Sequence, residues 1–398
     1  VTDRHYDVVV VGGGINGVGV AQAAAAAGHS VLLLEKQGLA AGTSSKSSKL
    51  IHGGLRYLES FEFGLVRESL EERELLLKLA PELVRWQDFC VPLYKETRRS
   101  PLLLRTGLSL YYLLSGLDAD ASFASLPRRL WDQLDGLRTD GLRAVFTYKD
   151  AQTNDALLTA AVMRSAQSLG AELACPAQFC GAVLSANGCH IKYKTGDQER
   201  SCTADVLVNA AGPWANDVVQ LINPQQAGIP VELVQGTHIV LPESKVKMSG
   251  NYFFYVESVR DGRAIFVMPR EGGILIGTTE TRYRKNPDQV CPLPAEESYL
   301  LGVLHHYFPS LGHLNRTDLS AAWAGLRVLP GGAGHAFHRS RETILHPDRR
   351  DRPRVLTIYG GKLTSYRATA EKVIERIRPS LPDNSPLAST RELLLSPE

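Results

Sequence analysis

Gly12, Gly14 and Gly17 stand in the spacing G-x-G-x-x-G directly after the apolar run 6–11, and an alanine-rich stretch, residues 18–27, follows them. The chemistry such a spacing supports is anion binding by backbone. Gly12 permits a tight strand-to-helix turn, Gly14 lets the main chain approach a pyrophosphate, and Gly17 lets helix and strand pack closely. Ile15 and Asn16 open the helix, whose N-terminus offers free N–H groups to the anion. A second apolar run begins at Ser30 and ends at Glu35, where an acid takes ribose hydroxyls and disfavours a 2′-phosphate. The residues therefore predict a dinucleotide, either FAD or NAD.

Residues 42–49 are rich in hydroxyls and ammonium groups, with Thr43, Ser44, Ser45, Ser47, Ser48 and Lys49 before Leu50. That composition suits a loop wrapped around phosphate. Three further segments place a cation beside glycine: His52, Gly53, Gly54, Leu55, Arg56 and Tyr57; Gly325, Leu326 and Arg327; Gly360, Gly361 and Lys362. Each reads as a glycine turn, and cations converging from three turns suit a dianionic substrate, since guanidinium forks bind phosphate oxygens in pairs. His238, within the apolar stretch GTHIV, is either an acid/base or a hydrogen-bonded core histidine. His335, His338 and His346, and the pair His305 and His306, lack cysteine partners and a helical HExxH pattern, so no metal is expected.

These groups need a scaffold, and 398 residues with 44% hydrophobic and 22% charged side chains describe a globular chain with room for more than one domain. A net charge of +2 gives no reason to expect nucleic acid. The six cysteines show no CxxC spacing and read as free thiols of a cytoplasmic protein. No apolar run reaches the roughly 20 residues of a spanning helix. The leucine- and tyrosine-rich stretch 101–117, preceded by Lys95, Arg98 and Arg99, suits either a core helix or the surface of a membrane.

The hydrophobic periods give helices over 63–80, with an i,i+4 pair between Glu74 and Lys78, and over 155–169, with Asn154 or Asp155 as N-cap and Gly170 as stop. Strands are expected over 172–184, 190–194 and 204–211, the last entering the turn at Gly212. An antiparallel group follows over 233–241, 252–257, 263–268 and 273–278, and a last strand over 355–359 precedes a closing helix. The expected fold is α/β: a Rossmann-like dinucleotide domain (1–80, 151–220 and 323–380) with a substrate- or membrane-facing segment (81–150), an inserted antiparallel substrate domain (221–322) and a tail (381–398).

The stretches GTSSKSSKLIHGGLRYLE (42–59), VNAAGPW (208–214), QGTHIVLP (235–242), FVMPREGGILIGTTE (266–280), AGLRVLP (324–330), SRETIL (340–345) and YGGKLTSYR (359–367) resemble the FAD-dependent glycerol-3-phosphate dehydrogenases, within the glycine-oxidase-like flavoproteins. The resemblance implies FAD. It places Lys36, the 43–50 loop, His52 to Gly54, Gln178, Phe179, Ala210, Gly212, Trp214, Gly325, Gly361, Lys362, Leu363 and Thr364 around the cofactor. Arg56, Tyr57, His238, Arg327, Arg341 and Lys362 would bind the substrate, with His238, Arg327 and Lys362 catalytic. The implied reaction takes sn-glycerol 3-phosphate to dihydroxyacetone phosphate, hydride leaving C2 for flavin N5 as a base removes the hydroxyl proton. Quinone or oxygen would accept the electrons. A homodimer and peripheral contact with the inner face of the cytoplasmic membrane belong to the same expectation. Two features depart from the family pattern: family members continue into a further C-terminal helical domain, which this sequence is expected to lack, and Glu280 stands where Asp is usual. An amine or amino-acid oxidase on the same fold is the competing reading, and an inactive flavin-binding remnant is a third.

Overall fold

Valine and leucine at alternating and consecutive positions build the centre of the first sheet. The computed structural model describes residues 4–186, 188–331 and 343–397. Strand β1 (Arg4–Val11) leads into helix α1 (Ile15–Ala26) and strand β2 (Val31–Leu34). β1 pairs in parallel with β2 on one side and with Gln198–Asn209 on the other; Glu172–Ala174 continues beyond β2, and Val355–Tyr359 beyond Gln198–Asn209. This is the 3-2-1-4-5 order of a doubly wound dinucleotide fold. α1 can lie tight on the sheet because its residues are small: a Cβ on Gly17 would sit 1.9 Å from the Gly12 carbonyl oxygen.

The strand expected over 172–184 is two strands, Glu172–Ala174 in the parallel core and Gln178–Ser185 in an antiparallel extension with Gly188–Thr195. Pro176 lies between them and has no N–H to give a ladder. Gln198–Asn209 serves both parts, antiparallel to Gly188–Thr195 in its first half and parallel to β1. The helix capped by Asn154, whose side chain accepts from Leu157 N, packs with the closing helix Tyr366–Ile377 against α1.

The second sheet runs from Val231–Pro242 through Gly273–Gly277, Ala264–Arg270 and Phe253–Glu257 to the long strands Val84–Tyr94 and Leu142–Thr153. Residues 84–94 and 142–153 thus share one sheet with the 231–277 strands. On the other side of Val231–Pro242 lies Ala321–Pro330, antiparallel, with Gly325 opposite Gly236. Gly325, Leu326 and Arg327 are therefore not a turn, because the ladder to Val231–Pro242 holds them extended. The two glycines leave room: a Cβ on Gly236 would come 2.9 Å from Arg327 Nη2, and one on Gly325 2.9 Å from Lys46 Cβ.

Glu74 also departs from expectation, pairing with its neighbour Arg73 at 2.7 Å instead of with Lys78. Arg73 is fully buried and pairs with buried Asp150 at 2.6 Å. Both Asp150 oxygens accept from Tyr111 Oη (2.9 and 3.0 Å), and that hydroxyl accepts from Gly53 N at 2.8 Å. A buried ion pair thus anchors the glycine turn that leads to Arg56.

Candidate active site

A cleft of about 650 Å³ runs from the β1–α1 turn to the face of the second sheet around Val231–Pro242 and Ala321–Pro330. Gly14 caps α1 without any side-chain cap. Ile15 N donates to Ser44 Oγ at 2.9 Å, and Gly13 N to Glu35 Oε2 at 2.7 Å. The other Glu35 oxygen takes Gln37 N and Gly38 N at 2.7 and 3.2 Å, so this carboxylate organises the loop after β2 as well as facing the cleft. A Cβ on Gly14 would meet only Ser44 Oγ, at 3.1 Å, which leaves the concave side of the turn clear.

The far wall is tied to this turn. Asn16 Nδ2 donates to the Gly360 carbonyl at 3.2 Å, and a Cβ on Gly361, at φ +107°, would lie 2.3 Å from that same nitrogen. His52 N donates to Thr364 Oγ1 at 3.1 Å, and Thr43 Oγ1 to the Leu326 carbonyl at 2.8 Å. Lys36 Nζ stands 4.0 Å over the Trp214 ring and 2.9 Å from Asp288. Gly12, Ile15, Leu50, Gly54, Gln178, Phe179, Ala210, Gly212, Gly325 and Leu363 also line the cleft, as do Ser47 and Ser48.

Four positions expected around the cofactor do not line it: Gly17, Ser45, Lys49 and Gly53. Gly17 lies under the turn, where it allows close packing. Lys49 points to Asp155 (2.5 Å) and the Ser45 carbonyl (3.0 Å), and Ser47 donates to the same Asp155. Gly53 is turned towards Tyr111. Arg341, His335 and His338 lie outside the described residues.

At the second-sheet end the cleft gathers Arg56, Tyr57, His238, Arg327 and Lys362. Lys362 Nζ stands 4.1 Å from the centre of the Tyr57 ring. Arg327 Nη1 lies 3.5 Å from Glu280 Oε1 and Nη2 3.3 Å from Thr278 Oγ1. Thr278, Glu280, Arg263, Tyr255, Phe266, Tyr148 and Asp150 complete this end. None of them was singled out as a site residue from the sequence. Thr278 and Glu280 carried a signal, because their TTE sequence follows a strand. The others reach the cleft through pairings remote in sequence.

His238 is 2% exposed and stacks on Trp323, ring centres 5.8 Å apart. Its Nε2 lies 2.9 Å from Ser48 Oγ. Burial, then Arg327, Lys49 and Arg270, push the imidazolium down to about 3, so the ring is neutral at neutral pH.

A doubly wound sheet with a glycine cradle at a helix N-terminus and an acid after β2, sharing a cleft with a second sheet that bears cations, defines a dinucleotide-dependent oxidoreductase. The chain belongs to the FAD dependent oxidoreductase family, whose model matches residues 7–376. FAD is its cofactor, and the glycine cradle and the clear side of Gly14 fit the pyrophosphate of that group. The chain is 37% identical over 386 residues to a glycerol-3-phosphate dehydrogenase of Pseudomonas aeruginosa, covering 94% of this chain and 72% of the relative. It is 36% identical over 380 residues to a D-erythritol 1-phosphate dehydrogenase of Brucella abortus, covering 94% and 74%. The solved glycerol-3-phosphate dehydrogenase of Bacillus halodurans, complexed with FAD, superposes with a TM-score of 0.76 at 26% identity, covering 99% of this chain and 68% of that one.

Proposed function

We propose that the chain oxidises the secondary alcohol of a polyol phosphate, sn-glycerol 3-phosphate in the first instance, to the ketone. The observation that carries this reading is the meeting of Arg56, Arg327 and Lys362 with a neutral histidine in one cleft continuous with the dinucleotide turn. A lone carboxylate needs fewer cations, so a phosphate ester fits better than an amino acid. Arg327, Arg56 and Lys362 hold the phosphate and orient the carbon chain, with Arg341 assigned to the same role from sequence. His238 takes the hydroxyl proton, and Tyr57, its ring against Lys362, packs on the chain. Gly12, Gly14 and the N-terminus of α1 would hold FAD, which when bound would supply the hydride acceptor. The Glu280 carboxylate, 3.5 Å from Arg327 Nη1, helps to orient that guanidinium. D-erythritol 1-phosphate shares the phosphate and the neighbouring alcohol.

Anaerobic mixing with sn-glycerol 3-phosphate, D-erythritol 1-phosphate or glycine tests the reading. Loss of flavin absorbance with either phosphate ester is expected. Reduction by the amino acid alone would replace this reading with the oxidase one, and no reduction by any would favour an inactive flavin-binding protein.

A membrane surface as partner is supported by helix Pro101–Leu114, which exposes Leu102, Leu103 and Leu113, and by Phe61, exposed by 78%. No helix among the described residues is long and apolar enough to cross a membrane. Arg99 is not part of the lipid-facing charge, because it pairs with Glu59 at 2.6 Å and Glu257 at 2.7 Å.

A further inference from the structure

The start of β1, at the opposite end of the strand from the glycine turn, carries a second cluster of ionisable groups. β1 runs parallel to Gln198–Asn209 with His5 opposite Thr203 and Tyr6 opposite Ala204, which sets Asp7 beside Asp205. Residues two apart on a strand share a face, so His5, Asp7, Thr203 and Asp205 form one polar square on adjacent strands. His5 Nε2 lies 3.5 Å from Asp205 Oδ1, and His29, reaching over from the loop after α1, places Nδ1 3.5 Å from Asp7 Oδ2. None of these five residues lines the cleft. Like charges side by side on neighbouring strands are destabilising, and neither imidazole is a permanent cation that would offset them. Burial raises the Asp205 carboxyl above its ordinary value and the Asp7 charge adds to the rise, while His5 and His29 act against it.

We propose that His5 Nε2 and one oxygen from each of Asp7 and Asp205 bind a divalent transition ion, Zn²⁺ in the first instance, with water completing the tetrahedron. The three donor atoms lie within 4.8 Å of one another. Zinc bonds of about 2.0–2.1 Å place tetrahedral donors roughly 3.3 Å apart, so a small swing of the exposed His5 side chain closes the set. His5 Nδ1 meets Thr203 Oγ1 at 3.0 Å. Donating Nδ1–H to that hydroxyl turns the Nε2 lone pair towards Asp205, as in metal sites where the second ring nitrogen fixes the ligating one. Asp7 is held as well, because Ser30 N donates to its Oδ2 at 2.8 Å and Asp7 N donates to Ser30 Oγ at 2.9 Å. An imidazole beside two carboxylates suits Zn²⁺ better than Ca²⁺ or Mg²⁺, which favour oxygen donors. The ion cancels the repulsion between the carboxylates and ties β1 to Gln198–Asn209 at a distance from the chemistry.

The test is equilibrium dialysis of the untagged, FAD-loaded protein against micromolar Zn²⁺, with metal and flavin measured per chain and thermal unfolding followed with and without the ion. The parent should take up one Zn²⁺ and unfold at a higher temperature with it. His5→Ala and Asp205→Asn should each weaken that uptake by about a hundredfold, and Thr203→Val, which removes only the partner of Nδ1, by about tenfold, all with the parent's flavin content. Without zinc, Asp205→Asn should unfold at a higher temperature than the parent, because one of two adjacent like charges is gone; with zinc the order should reverse. A parent that takes up no Zn²⁺ overturns the site. Uptake that survives both His5→Ala and Asp205→Asn places the ion elsewhere and overturns it too. An Asp205→Asn protein less stable than the parent in both conditions assigns the cluster to ion pairing alone, against the proposal.

Discussion

Replacing Arg327 with Ala is the most informative single change, because it acts on two groups with opposite sign. Its contacts to Glu280 (3.5 Å) and Thr278 (3.3 Å) are longer than a well-formed hydrogen bond, and its side chain lines the cleft where an incoming anion would sit. Losing one charge-assisted bond removes roughly 1.5–3 kcal/mol, about ten- to hundredfold in kcat/KM. Glu280, 6% exposed in its side chain, would then face the phosphate beside fewer cations, and a like charge near 4 Å adds on the order of 1 to 4 kcal/mol of repulsion. Arg327→Ala combined with Glu280→Gln should therefore recover about tenfold of the single variant's loss. Meanwhile Arg327 is the foremost charge holding His238 down, so its removal lets the imidazolium form more readily. Protonation disables the base; the acid-side fall in rate moves to higher pH in the variant, whereas the parent stays level down to mildly acid pH. Anaerobic stopped-flow reduction of the flavin against sn-glycerol 3-phosphate concentration, repeated across pH, reads both effects. A variant that binds and reduces as the parent does, with the same pH profile, refutes the phosphate assignment.

Gly14→Val should fold but purify without flavin, since its Cβ meets only Ser44 Oγ within the protein and its methyls would fill the pyrophosphate side. Flavin content and thermal unfolding check this, and a yellow variant removes the cradle assignment. Asp150→Ala should destabilise by about 3–5 kcal/mol, because fully buried Arg73 loses its partner; urea unfolding with a change of under roughly 1 kcal/mol would contradict it. Leu102→Ser combined with Leu103→Ser should weaken flotation with anionic vesicles while leaving flavin reduction unchanged, and a parent that never floats at low salt ends the membrane reading.

The dinucleotide half was legible because its signal is local: strand, glycine turn, helix, strand and acid follow one another, and the structure repeats that order. The second sheet was only partly so. Its strands over 253–277 are short apolar runs bounded by turn residues, but Val84–Tyr94 carries Arg85, Gln87 and Asp88, and Leu142–Thr153 carries Lys149 and Asp150, so neither shows a clean apolar period. Gly325 and Arg327 looked like a turn because glycine marks turns, while the strand that holds them extended lies about ninety residues earlier. The Arg73, Asp150 and Tyr111 anchor and the meeting of Ser48 with His238 depend on distances along the chain that no local pattern reports.

The low basicity of His238 has a consequence for selectivity. Burial and three cations keep this base from accepting protons; of the three only Arg327 lines the cleft, and under the proposed function a phosphate dianion would offset that one. The substrate thus brings with it part of the basicity that consumes its own proton. An uncharged polyol such as glycerol, even at saturating concentration, would meet a histidine still too acidic to act. Discrimination against it then falls on turnover as well as on affinity, so abundant free polyols would neither be oxidised nor drain the flavin's oxidising equivalents.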